Sequence, residues 1–343
     1  MSPMPRHPFS SVDGEFRTFT INSEALQGNL LNDPSTREVL VYLSSGWEEV
    51  DRLPLFVDLV GFTGSGKAHS NWKPFQESLP QRIDRLIKEE KMGPVALALP
   101  DCFTSLGGNQ YINSQAMGNW ADFLLHEMIP LLELELPLKG GRENRAVFGK
   151  SSGGFGAIVH GMLYSEQWGA IACHSGDMGF DRLFAGDFPK ALMALEKHDG
   201  LEGFLAHLES CSKMKGEDFH TLMILAMGAT YDADADAPKG IRLPVDPRTC
   251  ELIPERWQAW LDWDPVVMLE RKDVQENLAS LKGFFIDCGQ QDQYNIHFGT
   301  RQLAARLEEL GIEHTYEEFD DTHSSIDYRM DISLPFLYRS LTE

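Results

Sequence analysis

The run Gly149–Gly153, "GKSSG", matches the pattern G-x-S-x-G, in which the central serine can act as a nucleophile. The apolar run "RAVF" precedes it and the small-residue run "GFGAIVHGM" follows, which predicts a strand, a tight turn and a helix. Glycines at 149 and 153 allow a strained turn that exposes the serine hydroxyl. Ser151 is the predicted nucleophile, because choosing Ser152 would put the Lys150 side chain where the turn needs a small residue.

A nucleophilic serine requires a base, and the base requires a carboxylate that orients it. Asp292 follows the predicted strand "GFFIDCG", and His323 follows the predicted strand "HTYEEF". Both residues therefore lie in loops after late strands, where they can approach a serine at the end of an earlier strand. We predict that Asp292 is the acid and His323 the base of a Ser–His–Asp triad.

Other acids and histidines near predicted strand ends leave alternatives open. Asp177, in "HSGDM", also follows a strand and stays an alternative acid. The remaining candidates are less well placed. His174 directly follows a strand, and His297 lies at the start of a helix. Asp287 lies inside a strand, while Asp320 and Asp321 adjoin the predicted base.

The negative charge that develops on a substrate carbonyl oxygen needs backbone N–H donors. The first predicted donor is Ser152, which follows the nucleophile, and the second is Phe62 in "DLVGFTG", after an early strand. The stretch "GFTGSGKAHS" that contains Phe62 nearly matches a phosphate-binding loop. Ala68 replaces the hydroxyl residue that would help to hold Mg²⁺, so no nucleotide site is predicted.

Several of these motifs, in this order, resemble the putative-esterase family of α/β-hydrolases. The resemblance covers most of the chain and includes "DLVGFTG", "LPDCFTSLGGNQY", "FGKSSGGFGA", "DCGQQD" and "FDDTHSSIDYR". The family includes esterase D (S-formylglutathione hydrolase), feruloyl and acetylxylan esterases, enterochelin-esterase-like proteins and mycolyltransferases. By position, the resemblance implies the same five site residues. The chain departs from many relatives at Val60, where they have histidine. Its segment 178–282 also looks longer than the corresponding segment of compact family members.

The elements that carry these residues alternate along the chain. Antiparallel strands are expected at the start, followed by strands and helices in turn, which predicts a mostly parallel sheet flanked by helices. Residues 178–282 interrupt this rhythm with helical patterns. We therefore expect one α/β-hydrolase domain spanning 1–343, with 178–282 as an inserted helical cap.

Composition restricts the partners of the protein. The 343 residues carry a net charge of −22, which disfavours nucleic-acid and anionic-membrane surfaces. No apolar run reaches membrane-spanning length. The five cysteines are widely spaced and form no C-x-x-C pair, which is typical of reduced thiols in a cytoplasmic protein.

Two further patterns in the sequence bear on ligand binding. "YDADADAPKG" begins like a calcium loop but lacks the turn glycine and the final glutamate, so a solvated acidic loop is favoured. Trp257, Trp260 and Trp263 could wall a substrate pocket, although core packing is the favoured interpretation. We expect neither a metal nor a cofactor.

These observations predict a serine esterase that cleaves ester or thioester bonds of small acyl substrates. An acyltransferase with the same triad and an alcohol or sugar acceptor is the alternative. A non-catalytic binding protein on the same scaffold is a third hypothesis, disfavoured by the complete Ser–Asp–His set. The sequence is compatible with a homodimer.

Overall fold

The computed structural model describes residues 11–343, and one eight-stranded sheet forms its centre. Two further short strands, β5 and β6, pair as a separate antiparallel ribbon. The strands are β1 (Glu15–Asn22), β2 (Thr36–Leu43), β3 (Leu55–Leu59), β4 (Ala96–Pro100), β5 (Asn113–Ser114), β6 (Gly118–Asn119), β7 (Arg145–Lys150), β8 (Ala170–His174), β9 (Gly283–Gly289) and β10 (Thr315–Phe319).

The strand order across the large sheet is β1-β2-β4-β3-β7-β8-β9-β10. Strand β2 is antiparallel to β1 and β4, and every pair from β4 to β10 is parallel. The prediction of a mostly parallel sheet with antiparallel strands at its start is confirmed. The ends of β3, β7, β8, β9 and β10 consequently share one border, which we call the carboxyl edge.

Helices lie on both faces of the sheet and over the carboxyl edge. They are α1 (Gly66–Ser70), α2 (Leu79–Lys88), α3 (Trp120–Asp122), α4 (Ile129–Glu135), α5 (Ser152–Leu163), α6 (Phe180–Leu183), α7 (Phe188–Lys197), α8 (Leu201–Ser210), α9 (Gly216–Tyr231), α10 (Pro254–Leu261), α11 (Pro265–Met268), α12 (Lys272–Ala279), α13 (Ile296–Leu310) and α14 (Met330–Thr342). A π-helical stretch, Phe123–Met128, joins α3 to α4.

The central strands are buried on both faces, because alternate side chains enter two separate cores. In β3, Val57 belongs to the larger core and Phe56 to the smaller one. Apolar residues of α2 and α14 complete the smaller core, whereas α5 packs into the larger core. These packed faces hold the strand ends, and thus the loops at the carboxyl edge, in fixed relative positions.

Helix α2 begins at Leu79, with Ser78 as its N-cap. The reason is a capping box, in which the Ser78 hydroxyl accepts the Gln81 N–H (3.4 Å) and Gln81 Oε1 accepts the Ser78 N–H (2.9 Å). This reciprocal pair satisfies donors that would otherwise lack partners at the helix start.

The segment 178–282 contains α6 to α12 and is held by an aromatic cluster. Trp257 and Trp260 contact Phe188, with ring centroids 5.5 and 5.7 Å apart, and Trp260 also contacts Phe184 at 5.7 Å. Both tryptophans are buried. The core-packing interpretation of Trp257 and Trp260 is therefore confirmed, while the assignment of 178–282 as an inserted cap of a single domain stays a prediction.

The acidic loop in this segment is paired with an arginine. The Arg242 guanidinium donates to Asp232 at 2.5 and 2.7 Å and to Asp234 at 3.1 Å. Within residues 11–343, no group of three or more metal-ligating side chains could hold a metal ion. No helix in this described part of the chain is long and apolar enough to cross a membrane.

Candidate active site at the carboxyl edge

Ser151 occupies the sharp turn between β7 and α5. Its φ of 58° and ψ of −125° lie outside the regions that non-glycine residues ordinarily adopt. The turn is closed by contact with the end of β3: a Cβ on Gly149 or Gly153 would lie 2.2 or 1.7 Å from the Leu59 carbonyl oxygen. Only glycine fits at either position, and the strain at Ser151 is of the kind that concentrates at functional sites.

The backbone N–H groups of Ser151 and Ser152 have different roles. The Ser151 N–H donates to the His174 carbonyl at 3.0 Å, which ties the turn to the end of β8. Ser152 is the first residue of α5, so its N–H has no carbonyl acceptor within that helix. Ser151 is partly exposed, and within residues 11–343 no hydrogen bond joins its hydroxyl to His323. Serine–base hydrogen bonds are often long before substrate binds.

Asp292 and His323 meet above the ends of β9 and β10. His323 Nδ1 lies 2.7 Å from Asp292 Oδ2, and the Asp292 side chain is fully buried. The other carboxylate oxygen accepts the Tyr294 N–H at 2.8 Å. Gln293 Oε1 accepts the His323 N–H at 3.0 Å. With Nδ1 bonded to the carboxylate, Nε2 of the neutral ring is left as a proton acceptor.

Asp177, the alternative acid, lies in the same region with different partners. Its Oδ2 accepts the Gln110 side-chain N–H at 2.9 Å and the Ser152 hydroxyl at 3.4 Å. The described residues show no hydrogen bond from it to His323. Burial raises the pKa of Asp177, an effect that the Gln110 hydrogen bond and the nearby His323 oppose. The geometry therefore favours Asp292 over Asp177 as the partner of His323.

The loop after β3 brings Phe62 beside the nucleophile turn. A Cβ on Gly61 would lie 3.5 Å from Ser151 Cβ, so the residue that precedes Phe62 packs against the nucleophile turn. The Phe62 carbonyl accepts the Gly108 N–H at 2.6 Å. A Cβ on Gly107 would lie 2.8 Å from the Phe62 ring. Gly107 and Gly108 thus fix the position of Phe62, the residue predicted as an oxyanion donor.

The remainder of the phosphate-loop-like stretch anchors this loop. His69 Nδ1 lies 2.5 Å from Asp58 Oδ2, and the Asp58 side chain is fully buried in β3. This carboxylate raises the pKa of His69 against the opposing effect of burial. Lys67 forms an ion pair with Glu38 at the surface. The lysine that resembles a nucleotide ligand therefore has a structural partner.

A lysine in the nucleophile motif has a role that sequence reasoning missed. Lys150 Nζ lies 3.0 Å from Asp327 Oδ1, so it links the turn at Ser151 to the loop that carries His323. Lys73, from the segment after α1, lies 3.7 Å from the same carboxylate. Although burial opposes it, the charge of Lys150 lowers the pKa of Asp327 to about 2. The one feature of the sequence that indicates the Lys150–Asp327 ion pair is a lysine within a turn of small residues.

We expect Asp327→Asn to lower the free energy of unfolding by about 2 kcal/mol at pH 7, as the Asp327 pKa shift implies. Because the folded-state pKa lies below the unfolded value of 3.8, this stabilisation is present above about pH 4 and declines as the pH falls towards 2. Urea titrations of the wild type and variant between pH 7 and pH 3 should therefore converge. Arg301→Gln, which breaks the more exposed pair with Glu318, is the control and should cost less than about 1 kcal/mol. A constant difference between the Asp327 variant and the wild type at every pH would contradict this account.

A second serine–histidine–aspartate arrangement lies beneath the sheet edge. His174 Nδ1 is 2.7 Å from Asp287 Oδ1, and its Nε2 is 2.8 Å from the Ser333 hydroxyl. Arg329 binds the other Asp287 oxygen at 2.8 Å. All three members of the arrangement are at most 1% exposed, so no substrate can reach this serine. The set ties β8, β9 and α14 together, which gives His174 and Asp287 a structural role.

Comparison with known proteins agrees with this architecture. The family model described as "Putative esterase" matches residues 34–334. A ferulic acid esterase structure is 17% identical, with 96% of this chain and 100% of that chain covered and a TM-score of 0.59. An S-formylglutathione hydrolase from Agrobacterium tumefaciens is 15% identical, with 97% of each chain covered and a TM-score of 0.57.

The S-formylglutathione hydrolase from Staphylococcus aureus is 14% identical, with 96% of this chain and 98% of that chain covered and a TM-score of 0.56. At such identities, these structures show a shared fold. A comparison with curated protein sequences found no match. Because the family model spans most of the 343 residues, the protein belongs to the putative esterase family and is a carboxylic ester hydrolase with the α/β-hydrolase fold.

Proposed function

We propose that the protein cleaves ester or thioester bonds of small acyl substrates through an acyl-enzyme on Ser151. His323 is the general base and Asp292 the acid that orients it. The observation that carries this proposal is the 2.7 Å Asp292–His323 hydrogen bond at the carboxyl edge, beside a serine held at φ 58°. The same edge also carries Phe62 and Ser152, the proposed oxyanion donors.

In the first step, His323 Nε2 takes the Ser151 hydroxyl proton while the serine oxygen attacks the substrate carbonyl carbon. The imidazolium that forms is stabilised by the buried Asp292 carboxylate. The carbonyl oxygen becomes an oxyanion, which the N–H groups of Phe62 and Ser152 stabilise. His323 then returns the proton to the leaving alcohol or thiol, and the acyl group stays on Ser151.

In the second step, water attacks the acyl-enzyme, with His323 again accepting the proton. The acid is released and the Ser151 hydroxyl is restored. Removing one oxyanion donor from sites of this type costs about 10²- to 10³-fold in kcat. The donors must therefore be held in a fixed position. The contacts of Gly107 and Gly108 with Phe62 support its role as a donor, because they restrict its movement.

The range of ester and thioester substrates is supported by the neighbours. The similar structures include a ferulic acid esterase and an S-formylglutathione hydrolase, whose names denote an oxygen ester and a thioester substrate respectively. The same Ser151–His323–Asp292 chemistry handles both, because the nucleophile attacks the carbonyl carbon in each case.

Labelling with a fluorophosphonate tests the proposed nucleophile. The probe should modify Ser151, as identified by mass spectrometry of the digested protein, and hydrolysis of p-nitrophenyl acetate should fall in proportion to labelling. Modification of a different serine, or full activity after Ser151 is modified, would contradict the proposal. Product analysis with an added alcohol distinguishes the acyltransferase alternative, which predicts more transferred ester than free acid.

We also propose that the protein acts in the cytoplasm. All five cysteines are free, and Cys102, Cys173 and Cys288 are buried. Disulfides are rare in reducing compartments, so unpaired thiols suit such a location. Fractionation of cells that express the protein would place it elsewhere if it were secreted.

A further inference from the structure

Aromatic rings contact one another in series from the proposed oxyanion donor to the proposed base. Phe62 contacts Phe219 of α9 at a centroid distance of 5.6 Å, and His220 follows Phe219 in the chain. His220 contacts Tyr294 at 6.1 Å, and Tyr294 contacts His323 at 4.9 Å. We call these five residues the ring arc. It runs over the site through the start of α9, a helix of the segment 178–282.

Polar contacts hold the α9 end of the ring arc in place. His220 Nδ1 lies 3.1 Å from Asp187 Oδ2. Asp218 is buried and accepts the Lys215 N–H at 3.0 Å. Phe219 itself is only partly buried, whereas every residue from 221 to 231 is buried. One part of Phe219 packs against the larger core, and the rest of its surface remains accessible.

The chemistry of ester cleavage divides the ring arc into two sides. The carbonyl oxygen must lie against the N–H of Phe62, while the leaving-group oxygen must lie within reach of His323, which protonates it. Tyr294 contacts His323 and so borders the leaving group. At the opposite end, the Phe219 ring contacts the side chain of Phe62, the residue whose N–H is the proposed oxyanion donor.

We propose, on the basis of the proposed function, that Phe219 is a specificity-determining residue that restricts the substrate to short acyl chains. In this arrangement, the acyl chain extends from the proposed oxyanion site towards the Phe219 ring, so a longer chain would meet that ring. Each methylene that a site accepts or rejects changes kcat/KM by about 10- to 200-fold. A single ring at this position can therefore decide between a two-carbon and a nine-carbon acyl group.

Rates of inactivation by alkylphosphonofluoridates test this proposal, because the alkyl group takes the place of the acyl chain. We compare methyl and octyl probes, which should react with wild-type Ser151 rapidly and slowly, respectively. Phe219→Ala should lower the methyl-to-octyl rate ratio by about 10- to 100-fold, mainly through faster reaction of the octyl probe. Phe219→Leu, which keeps an apolar side chain on α9, should shift the ratio in the same direction by less.

Phe204→Ala is the matched control, since Phe204 is a buried residue of α8 in the same segment and outside the ring arc. It should leave the ratio unchanged. An unchanged ratio in both Phe219 variants would overturn the proposal, as would an equal change in Phe204→Ala, which would indicate general loosening of the segment. Failure of the methyl probe to label wild-type Ser151 is a different result, because it would overturn the proposed nucleophile and this inference with it.

Discussion

Ser151→Ala should lower kcat for p-nitrophenyl acetate by about 10⁵- to 10⁶-fold, the loss expected when a nucleophile that acts with a base is removed. The reason is that no acyl-enzyme can form without the hydroxyl, whereas the Phe62 and Ser152 N–H groups, the proposed oxyanion donors, are left in place. The residual rate should exceed the uncatalysed one for that reason. Steady-state kinetics measure the loss, and the Tm of the variant shows whether the fold is retained.

The matched control for this variant is Ser333→Ala. Ser333 also hydrogen-bonds a histidine that binds an aspartate, His174 and Asp287, but it is completely buried. Its replacement should cost stability, about 1–3 kcal/mol for a buried partner left unsatisfied, and change kcat by less than about tenfold. If Ser333→Ala lost activity as severely as Ser151→Ala, the assignment of the nucleophile would be wrong.

Asp292→Asn should lower kcat by about 10⁴-fold, because an amide cannot hold the required histidine tautomer or stabilise the imidazolium. Asp292 is the only carboxylate that hydrogen-bonds His323 within residues 11–343, and its side chain is fully buried. The loss should appear in kcat with little change in substrate binding, since Asp292 does not border the acyl or leaving group.

Asp177→Asn provides the comparison, because Asp177 is a buried carboxylate close to His323 with different hydrogen-bond partners. Burial raises the pKa of Asp177, and an amide of the same shape keeps an oxygen that can accept the Gln110 N–H. We expect a loss of less than about 100-fold, well below that of the proposed acid. A larger loss at Asp177 than at Asp292 would identify Asp177 as the acid.

Local patterns sufficed to predict much of the fold. Continuous apolar runs such as that of β9 are buried on both faces, and the strand–turn–helix pattern around Ser151 requires only neighbouring residues. These features depend on interactions within a few residues, which sequence patterns report directly.

Contacts between distant loops could not be predicted in this way. Lys150 and Asp327 are 177 residues apart, and three strands of the large sheet, β4, β7 and β8, lie between Phe62 and Phe219 in the chain. Neither the residue types nor the spacing indicate such pairs, because many lysines, aspartates and phenylalanines would serve equally well in isolation. Their selection depends on which loops the packed strands bring together at the carboxyl edge.

The sequence by itself determined the fold class, the candidate nucleophile and the order of the candidate acid and base, since these follow from short motifs after predicted strands. It left Asp177 and Asp292 as alternatives, and only the tertiary structure showed that Asp292 makes the hydrogen bond to His323. The contacts of Gly107 and Gly108 with Phe62 and the ring arc through Phe219 were likewise decided by tertiary structure. Each depends on a distance between separate loops, which is set by the packing of the sheet and helices and is absent from any local pattern.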